Sequence, residues 1–180
     1  MLQQLRQWLR TDIPREPAPS PAMQDTVHQA LQAHVMRTLG RALTIRHVDA
    51  GSSNACELEV QALSNPYYNL ERFGIRLVAS PRHADLLLVT GPVSRHMAIA
   101  LQRTYDAMPD PKLVVAAGDG ACGAGLLGAS YASLGAVANV IPVNVAIRGC
   151  PPTPLALLQG ILAAVTPASG TQVGQASDAG

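Results

Sequence analysis

Short apolar runs alternate along the chain with segments whose apolar residues recur every three or four positions. The apolar runs predict strands at 42–48, 75–78, 86–90 and 112–117, with a further strand-like run at 139–145. The helical spacing predicts helices at 23–39, 57–63 and 91–108. Strands that are apolar throughout and alternate with helices are typical of a parallel sheet covered on both faces. We therefore expect an α/β domain of this kind.

In such a sheet, functional groups gather at the carboxyl ends of the strands. Each of the three cysteines, Cys56, Cys122 and Cys150, lies in a turn rich in glycine, serine or proline after an apolar run. A small, odd number of cysteines without an export sequence predicts a reducing compartment, where thiols stay free to bind metal. The helix predicted to begin after Cys56 would lower the pKa of its thiol, which favours a ligand over a small core residue.

Composition and charge narrow the possible partners. The 180 residues are enough for one domain with a core, and the net charge of +1 gives no indication of a nucleic-acid partner. Between Asp119 and Asp178 the only charged residue is Arg148. Because isolated domains normally carry charge over their surface, this predicts that a partner covers much of the segment. The alternative is a buried core followed by a disordered tail of small residues.

We expect three segments. Residues 1–22 form an arm, in which Leu2, Leu5 and Trp8 share one helical face, followed by a proline-rich linker. Residues 23–167 form the α/β domain, and residues 168–180 form a disordered tail. No apolar run reaches the roughly 20 residues that a membrane-spanning helix needs.

The loop at 118–125 allows two chemical interpretations. Gly118, Gly120 and Gly123 match the dinucleotide-binding spacing, but the next strand-like run, 139–145, has no acidic residue to bind the ribose. The other interpretation is an iron–sulfur cluster, because thiolates on turns of small residues are its usual ligands. A cubane cluster takes four ligands, and with three cysteines Ser53 is the candidate for a weak fourth. No catalytic constellation is found.

Nine short segments together resemble one family. They are GSSNACELE (51–59), NPYYNLERFGI (65–75), SPRHAD (80–85), VTGPV (89–93), YDAMPDPK (105–112), GDGACGAG (118–125), SY (130–131), IPVNV (141–145) and GCPPTP (149–154). In this order they resemble the small iron–sulfur subunit shared by respiratory complex I (NADH:quinone oxidoreductase) and the energy-converting hydrogenases. The resemblance covers about residues 40–165 and is nearer to the hydrogenase and formate-hydrogenlyase branch.

The resemblance implies a flavodoxin-like domain that carries one [4Fe–4S] cluster beside a quinone or nickel–iron site. It implies an electron-transfer subunit, not catalytic alone, in a membrane-associated oxidoreductase. Its expected partners are a larger catalytic subunit (49-kDa-like or hydrogenase large subunit), a ferredoxin-like iron–sulfur subunit and membrane-arm subunits. It would be held peripherally at the cytoplasmic face of the cell membrane.

The resemblance also places the four cluster ligands, at Ser53 (or at its neighbour, where the family has two cysteines in tandem), Cys56, Gly120 and Cys150. Only two of these are cysteine here, and Cys122 lies two residues after the third position. Two outcomes follow. In the first, a shift of the glycine loop makes Cys56, Cys122 and Cys150 the metal ligands, and either Ser53, a poor ligand for iron, or a group from outside the chain is the fourth. In the second, the cluster has been lost and the subunit is structural.

Overall fold

The computed structural model describes residues 40–123, 125 and 128–166, together with the isolated residues 26, 29, 30, 33 and 37. These five residues are helical, as the helix predicted at 23–39 requires. The predicted arm at 1–22 and the tail at 168–180 lie outside the described residues. Within the described part of the chain, no helix has the length and apolar character needed to cross a bilayer.

Five parallel strands form the central sheet, in the order β2-β1-β3-β5-β7. Two further strands, β4 and β6, pair antiparallel beside it. In chain order the strands are β1 (Leu43–Asp49), β2 (Ile75–Leu77), β3 (Leu86–Thr90), β4 (Val93–Ser94), β5 (Leu113–Ala117), β6 (Ser133–Gly135) and β7 (Val145–Ile147). The parallel order confirms the predicted flavodoxin-like α/β architecture.

Three helices complete the domain: α1 (Ala55–Ala62), α2 (Arg95–Asp106) and α3 (Pro154–Val165). Helix α2 begins at a side-chain cap, because the Ser94 hydroxyl accepts from the Met97 N–H. Thr153 caps α3 in the same way, and Pro154 takes the first helical position, where its missing N–H costs nothing. Single 3₁₀ turns lie at Leu70–Phe73, Pro81–His83 and Val137–Asn139.

The core has two parts, one on each face of the sheet. On one face Leu86 and Leu88 of β3 join a cluster that contains the buried α3 residues Leu157 and Ile161. On the other face Leu87 and Val89 join a cluster that contains Leu101 of α2. Successive strand residues point to opposite faces, so β3 can be apolar throughout only if both faces are covered. The prediction of a sheet covered on both faces is confirmed.

The strand predicted at 139–145 is wrong. The chain makes a 3₁₀ turn at Val137–Asn139 and forms β7 only at Val145–Ile147. Val137 and Ile141 are buried from this irregular connection, so apolar spacing there does not reflect a strand. Asn144 accepts from the Val114 N–H through its side chain and donates its own N–H to the Val114 carbonyl, which starts the pairing with β5.

Two helix starts also differ from prediction. The helix predicted from residue 91 begins at Arg95, because Gly91 has a φ of +73° and residues 93–94 form β4. The helix predicted from residue 57 begins at Ala55, which places Cys56 within its first turn. Asn54, at a φ of 70°, makes the sharp entry into this helix.

Candidate cluster site

Four loops follow the carboxyl ends of adjacent parallel strands and meet at one edge of the sheet. They are residues 50–54 after β1, 91–92 after β3, 118–123 after β5 and 148–153 after β7. The loops after β1, β5 and β7 lead to or contain Cys56, Cys122 and Cys150. Because the strands are parallel, these segments share an edge although they are far apart in sequence.

Backbone hydrogen bonds tie the β5 and β7 loops together. The Asp119 N–H donates to the Gly149 carbonyl at 2.9 Å, and the Gly149 N–H donates to the Asp119 carboxylate at 2.9 Å. One residue earlier, the Gly118 N–H donates to the Ile147 carbonyl at 2.8 Å. The two loops are thus held at a fixed separation by the polypeptide itself.

Cys56 lies between these two loops and the β1 loop. A Cβ added to Gly118 would lie 2.8 Å from the Cys56 Sγ and 3.7 Å from the Gly149 carbonyl oxygen. Burial and then the nearby Glu57 carboxylate raise the pKa of the Cys56 thiol to about 11. The expected lowering by the helix start is wrong, because desolvation and a neighbouring carboxylate both disfavour the thiolate.

Cys122 makes different contacts. Its thiol approaches two main-chain carbonyls, that of Ile147 at 3.5 Å and that of Ala116 at 3.7 Å. It is half-buried, and burial raises the pKa of this thiol as well. The Cys122 side chain faces a shallow cavity lined with small residues, including Ala136 and Ala146. Cys150, by contrast, is exposed.

The remaining two family positions carry no thiol and differ in surroundings. Ser53 is exposed at the outer end of the β1 loop. Gly120 is closely covered, since a Cβ there would lie 2.6 Å from the Pro92 Cδ and 3.1 Å from the Pro92 nitrogen. A separation under 3.0 Å is not tolerated by a real Cβ, so position 120 has no room for a side chain in this arrangement.

These residues do not fit a cubane cluster. Among the described residues, no group of three or more cysteine, histidine or acidic side chains is arranged to hold a metal ion. Cys56 and Cys150 are near enough for their charges to interact, whereas Cys122 is engaged with backbone carbonyls. The ligand set Cys56, Cys122 and Cys150 therefore stays a prediction, and Ser53 adds no thiolate to it.

A polar cluster that the sequence does not predict lies beside Cys56. The hydroxyls of Ser52 and Thr90 both donate to the buried carboxylate of Glu57. The His47 Nε2 lies 3.0 Å from the Thr90 Oγ1 and 3.9 Å from the Glu57 Oε1. Burial lowers the pKa of His47. The hydroxyl donors compensate the buried carboxylate, so the cluster stabilises the start of α1.

No pattern in the sequence predicts this polar cluster, because its members come from β1, the β1 loop, α1 and β3. The one hint is an acidic residue directly after a cysteine at the beginning of a helix. The pairing of β1 with β3 places His47 level with Leu88 and Asp49 level with Thr90, which brings the two strand ends under α1.

The fold and the cysteine-bearing edge define a flavodoxin-like α/β domain, and comparison with known proteins shows the family to which it belongs. Residues 54–164 match the family described as NADH ubiquinone oxidoreductase, 20 kDa subunit. The chain is 41% identical over 133 residues to the probable membrane-bound hydrogenase subunit mbhJ of Pyrococcus furiosus, covering 74% of this chain and 80% of that protein. The chain belongs to this family.

Two further relatives come from both branches of the family. The chain is 40% identical over 149 residues to formate hydrogenlyase subunit 7 of Escherichia coli, covering 82% of this chain and 58% of that protein. It is 45% identical over 123 residues to an NADH-quinone oxidoreductase subunit of Desulfovibrio desulfuricans, covering 68% and 66%. The chain thus spans less than two thirds of the length of these two relatives.

A solved structure shares the fold. A chain in the structure of the membrane-bound sulfane sulfur reductase, an archaeal respiratory membrane complex, superposes with a TM-score of 0.62 at 33% identity. The match covers 75% of this chain and 73% of that one. The predicted family is confirmed by sequence and by structure.

Proposed function

We propose that this chain is a peripheral subunit of a membrane-associated oxidoreductase complex, of the NADH:quinone oxidoreductase or energy-converting hydrogenase type, with a structural role. The observation that carries the proposal is an exposed surface almost without charge, which we call the uncharged surface. It is formed by the exposed residues among 128–151.

The uncharged surface contains a large aromatic side chain. Tyr131 is 94% exposed, and Ala138, Pro142 and Ala146 are exposed with it. Arg148 is the only charged residue within 128–151, and the Arg95 guanidinium of α2 lies at the edge of this surface, where it donates to the Ser130 carbonyl. An uncharged patch with an exposed aromatic residue is typical of a protein interface. The relatives named for membrane-bound complexes support a larger catalytic subunit as the partner.

The geometry favours the structural role over electron transfer. Electron transfer was expected because the resemblance implies a [4Fe–4S] cluster, yet the donor set found here does not fit one. A subunit without the cluster still offers the interface on which a larger subunit packs. We place the chain, with a ferredoxin-like subunit and membrane-arm subunits as further partners, at the cytoplasmic face of the membrane.

Purification of the tagged chain from detergent-solubilised membranes of its own cells tests this proposal. We expect recovery of a homologue of the complex I or hydrogenase large subunit, identified by mass spectrometry. Tyr131→Arg and Ala146→Arg place charge on the uncharged surface and should reduce that recovery at least about tenfold, because an unpaired charge at an interface is costly.

Ile99→Arg is the matched control, because Ile99 is 63% exposed but lies on α2, among charged residues. It should leave recovery unchanged. Equal loss in all three variants would contradict the assignment of the surface, and absence of any large-subunit homologue would contradict the proposed function.

A further inference from the structure

The shallow cavity that Cys122 faces lies at the β7 edge of the sheet, on the face that α2 covers. Four residues are in register across the sheet on this face: Val48 of β1, Val89 of β3, Ala116 of β5 and Ala146 of β7. The row shrinks from valine to alanine towards β7, where the irregular connection at 136–144 lies over the sheet in place of a helix. Because the side chains on both sides are small, the sheet and its cover leave a space unfilled.

We call this space the alanine cavity, after five of its eight lining residues. These are Ala116, Ala121, Ala136, Ala138 and Ala146. Its volume is about 270 Å³. An apolar cavity of about 150 Å³ accepts a benzene ring, and sites for small-molecule ligands commonly measure about 300–1,000 Å³. The alanine cavity is therefore suited to one large side chain.

The polar side chains in the wall of the alanine cavity are engaged with the backbone. The Cys122 thiol donates to the carbonyls of Ala116 and Ile147. The Asn144 side-chain oxygen accepts from the Val114 N–H at 2.7 Å. No residue that lines the cavity is charged. A charged occupant would lose its hydration without gaining a counter-charge, so the wall favours an apolar occupant.

The mouth of the alanine cavity opens on the uncharged surface. Two of the lining residues, Ala138 and Ala146, are exposed and belong to that surface. A partner that covers the uncharged surface therefore also covers the mouth. An empty cavity beneath the partner would leave the atoms of its wall without contacts, whereas the packing of interface cores matches that of protein interiors. A side chain of the partner that enters the cavity restores those contacts.

We infer that the alanine cavity receives one large apolar side chain, an aromatic ring or a leucine or methionine, from the larger catalytic subunit. Buried anchors of this kind contribute most of the affinity of many interfaces, since they fill a pocket from which water is excluded. The inference rests on the proposed function and deepens it, because it concentrates the affinity of the uncharged surface at one site and states the chemistry of the group bound there.

Filling the cavity from this chain is the first part of the test. Ala138→Leu and Ala146→Leu each place a larger side chain where space exists, so neither should lower the melting temperature. Cys122 lies in the wall and reports the filling. In the isolated full chain, iodoacetamide should alkylate Cys122 at least about threefold more slowly in both variants, because the thiolate must be reached to react. The exposed Cys150 should react at an unchanged rate.

Purification of the tagged variants from solubilised membranes is the second part. Both filled variants should recover the large-subunit homologue at least about tenfold less well than the natural chain. Ala132→Leu is the matched control, because Ala132 is exposed on the uncharged surface but does not line the cavity. It should lower recovery by no more than about twofold and leave the alkylation rate of Cys122 unchanged.

Three outcomes overturn this inference alone. In the first, both filled variants slow Cys122 but recover the large subunit as well as the natural chain does. In the second, Ala132→Leu loses as much recovery as the filled variants. In the third, neither filled variant slows Cys122. If the natural chain recovers no large-subunit homologue at all, the proposed function fails, and the inference that rests on it fails with it.

Two other occupants can be distinguished in the isolated full chain. If Trp8→Ala increased the alkylation rate of Cys122, the chain's own residues 1–22 would fill the cavity. If the rate fell as the concentration of the chain rose, a second copy would fill it. Either result would overturn the assignment to the large subunit. We expect the alkylation rate of Cys122 to change in neither experiment.

Discussion

On the side of the sheet formed by β2, β1 and β3, two buried carboxylates are paired within the chain, whereas the part of the chain that follows β5 and Asp119 is almost without charge. Asp85 at the start of β3 accepts from Arg41, from the Thr44 N–H and from the Thr44 hydroxyl. Glu57 accepts from Ser52 and Thr90. The described residues after Asp119 carry one charged side chain, Arg148.

This difference separates the residues that stabilise the fold from the residues that can contact a partner subunit. The buried carboxylates of Glu57 and Asp85 on the first side are satisfied inside the chain, as an independently stable domain requires, whereas the buried Arg46 Nε has no hydrogen-bond partner among the described residues. The second side has few groups that water or a partner must satisfy, and its exposed residues are suited to burial. Substitutions on the first side should therefore change stability, and substitutions on the uncharged surface should change association.

Asp85→Ala should have the largest effect on stability. It leaves the Thr44 N–H without its acceptor and removes the partner of Arg41, so we expect the free energy of unfolding to fall by about 3 kcal/mol. Because Arg41 is largely exposed, most of this loss comes from the buried end of the network. Urea denaturation of both proteins measures it.

Asp110→Ala is the control for Asp85→Ala. The Asp110 carboxylate is 83% exposed and lies 3.6 Å from the Lys112 ammonium, so its removal should change stability by no more than about 0.5 kcal/mol. Similar losses for both variants would show that the pairing on the first side contributes nothing specific to the fold.

The fold could be predicted because apolar runs within short stretches of the sequence indicate its strands. The apolar run at 86–90 became β3 with the predicted bounds, and the run at 112–117 became β5 one residue later, since a strand covered on both faces has no polar position. The run at 139–145 misled because Val137 and Ile141 are buried from an irregular connection. Burial alone does not distinguish such a connection from a strand.

The candidate site could be predicted only in part. The sequence places Cys56, Cys122 and Cys150 at strand ends, but the direction of each thiol depends on contacts between distant loops. The approach of Pro92 to Gly120 joins residues 28 positions apart in sequence, and no local pattern indicates it. The raised pKa of Cys56 has the same origin, because burial by the surrounding loops outweighs the helix start.

Thiol alkylation should separate the cysteines by exposure and pH. Cys150 is exposed and should react with iodoacetamide first, while Cys56 and Cys122 should react slowly. Because the thiolate is the reactive form and the pKa of Cys56 is about 11, its rate should rise about tenfold per pH unit up to that range. Mass spectrometry after timed quenching gives the three rates.

The alkylation experiment also tests whether Cys56 and Cys150 bind metal in this chain. In the natural chain purified without oxygen, Cys56 and Cys150 should react at the same rates with and without an iron chelator. If the chelator increased both rates together, the two thiols would be bound to metal, and the structural assignment of this edge would be wrong.

The smallest effect should come from His47, on the paired side of the sheet. Burial lowers the pKa of His47 in the folded chain. The Glu57 and Asp49 carboxylates oppose this shift, and the Arg46 guanidinium adds to it. Below the unfolded value of about 6.5, the unfolded chain binds a proton that the folded chain does not, so stability falls as pH falls through this range. Above it, the imidazole is neutral in both states and contributes no pH dependence.

Comparison of the natural chain with His47→Gln isolates this effect. Between pH 7.5 and pH 5.5 the natural chain should lose up to about 1.4 kcal/mol more of its free energy of unfolding than the variant. The pH-dependent difference is the quantity to compare, since the substitution also removes the contact with Thr90 at every pH. His96→Gln, at an exposed histidine on α2, should keep the pH dependence of the natural chain. If His47→Gln keeps it as well, the buried imidazole takes up its proton in the folded state, and the polar cluster around Glu57 accommodates that charge.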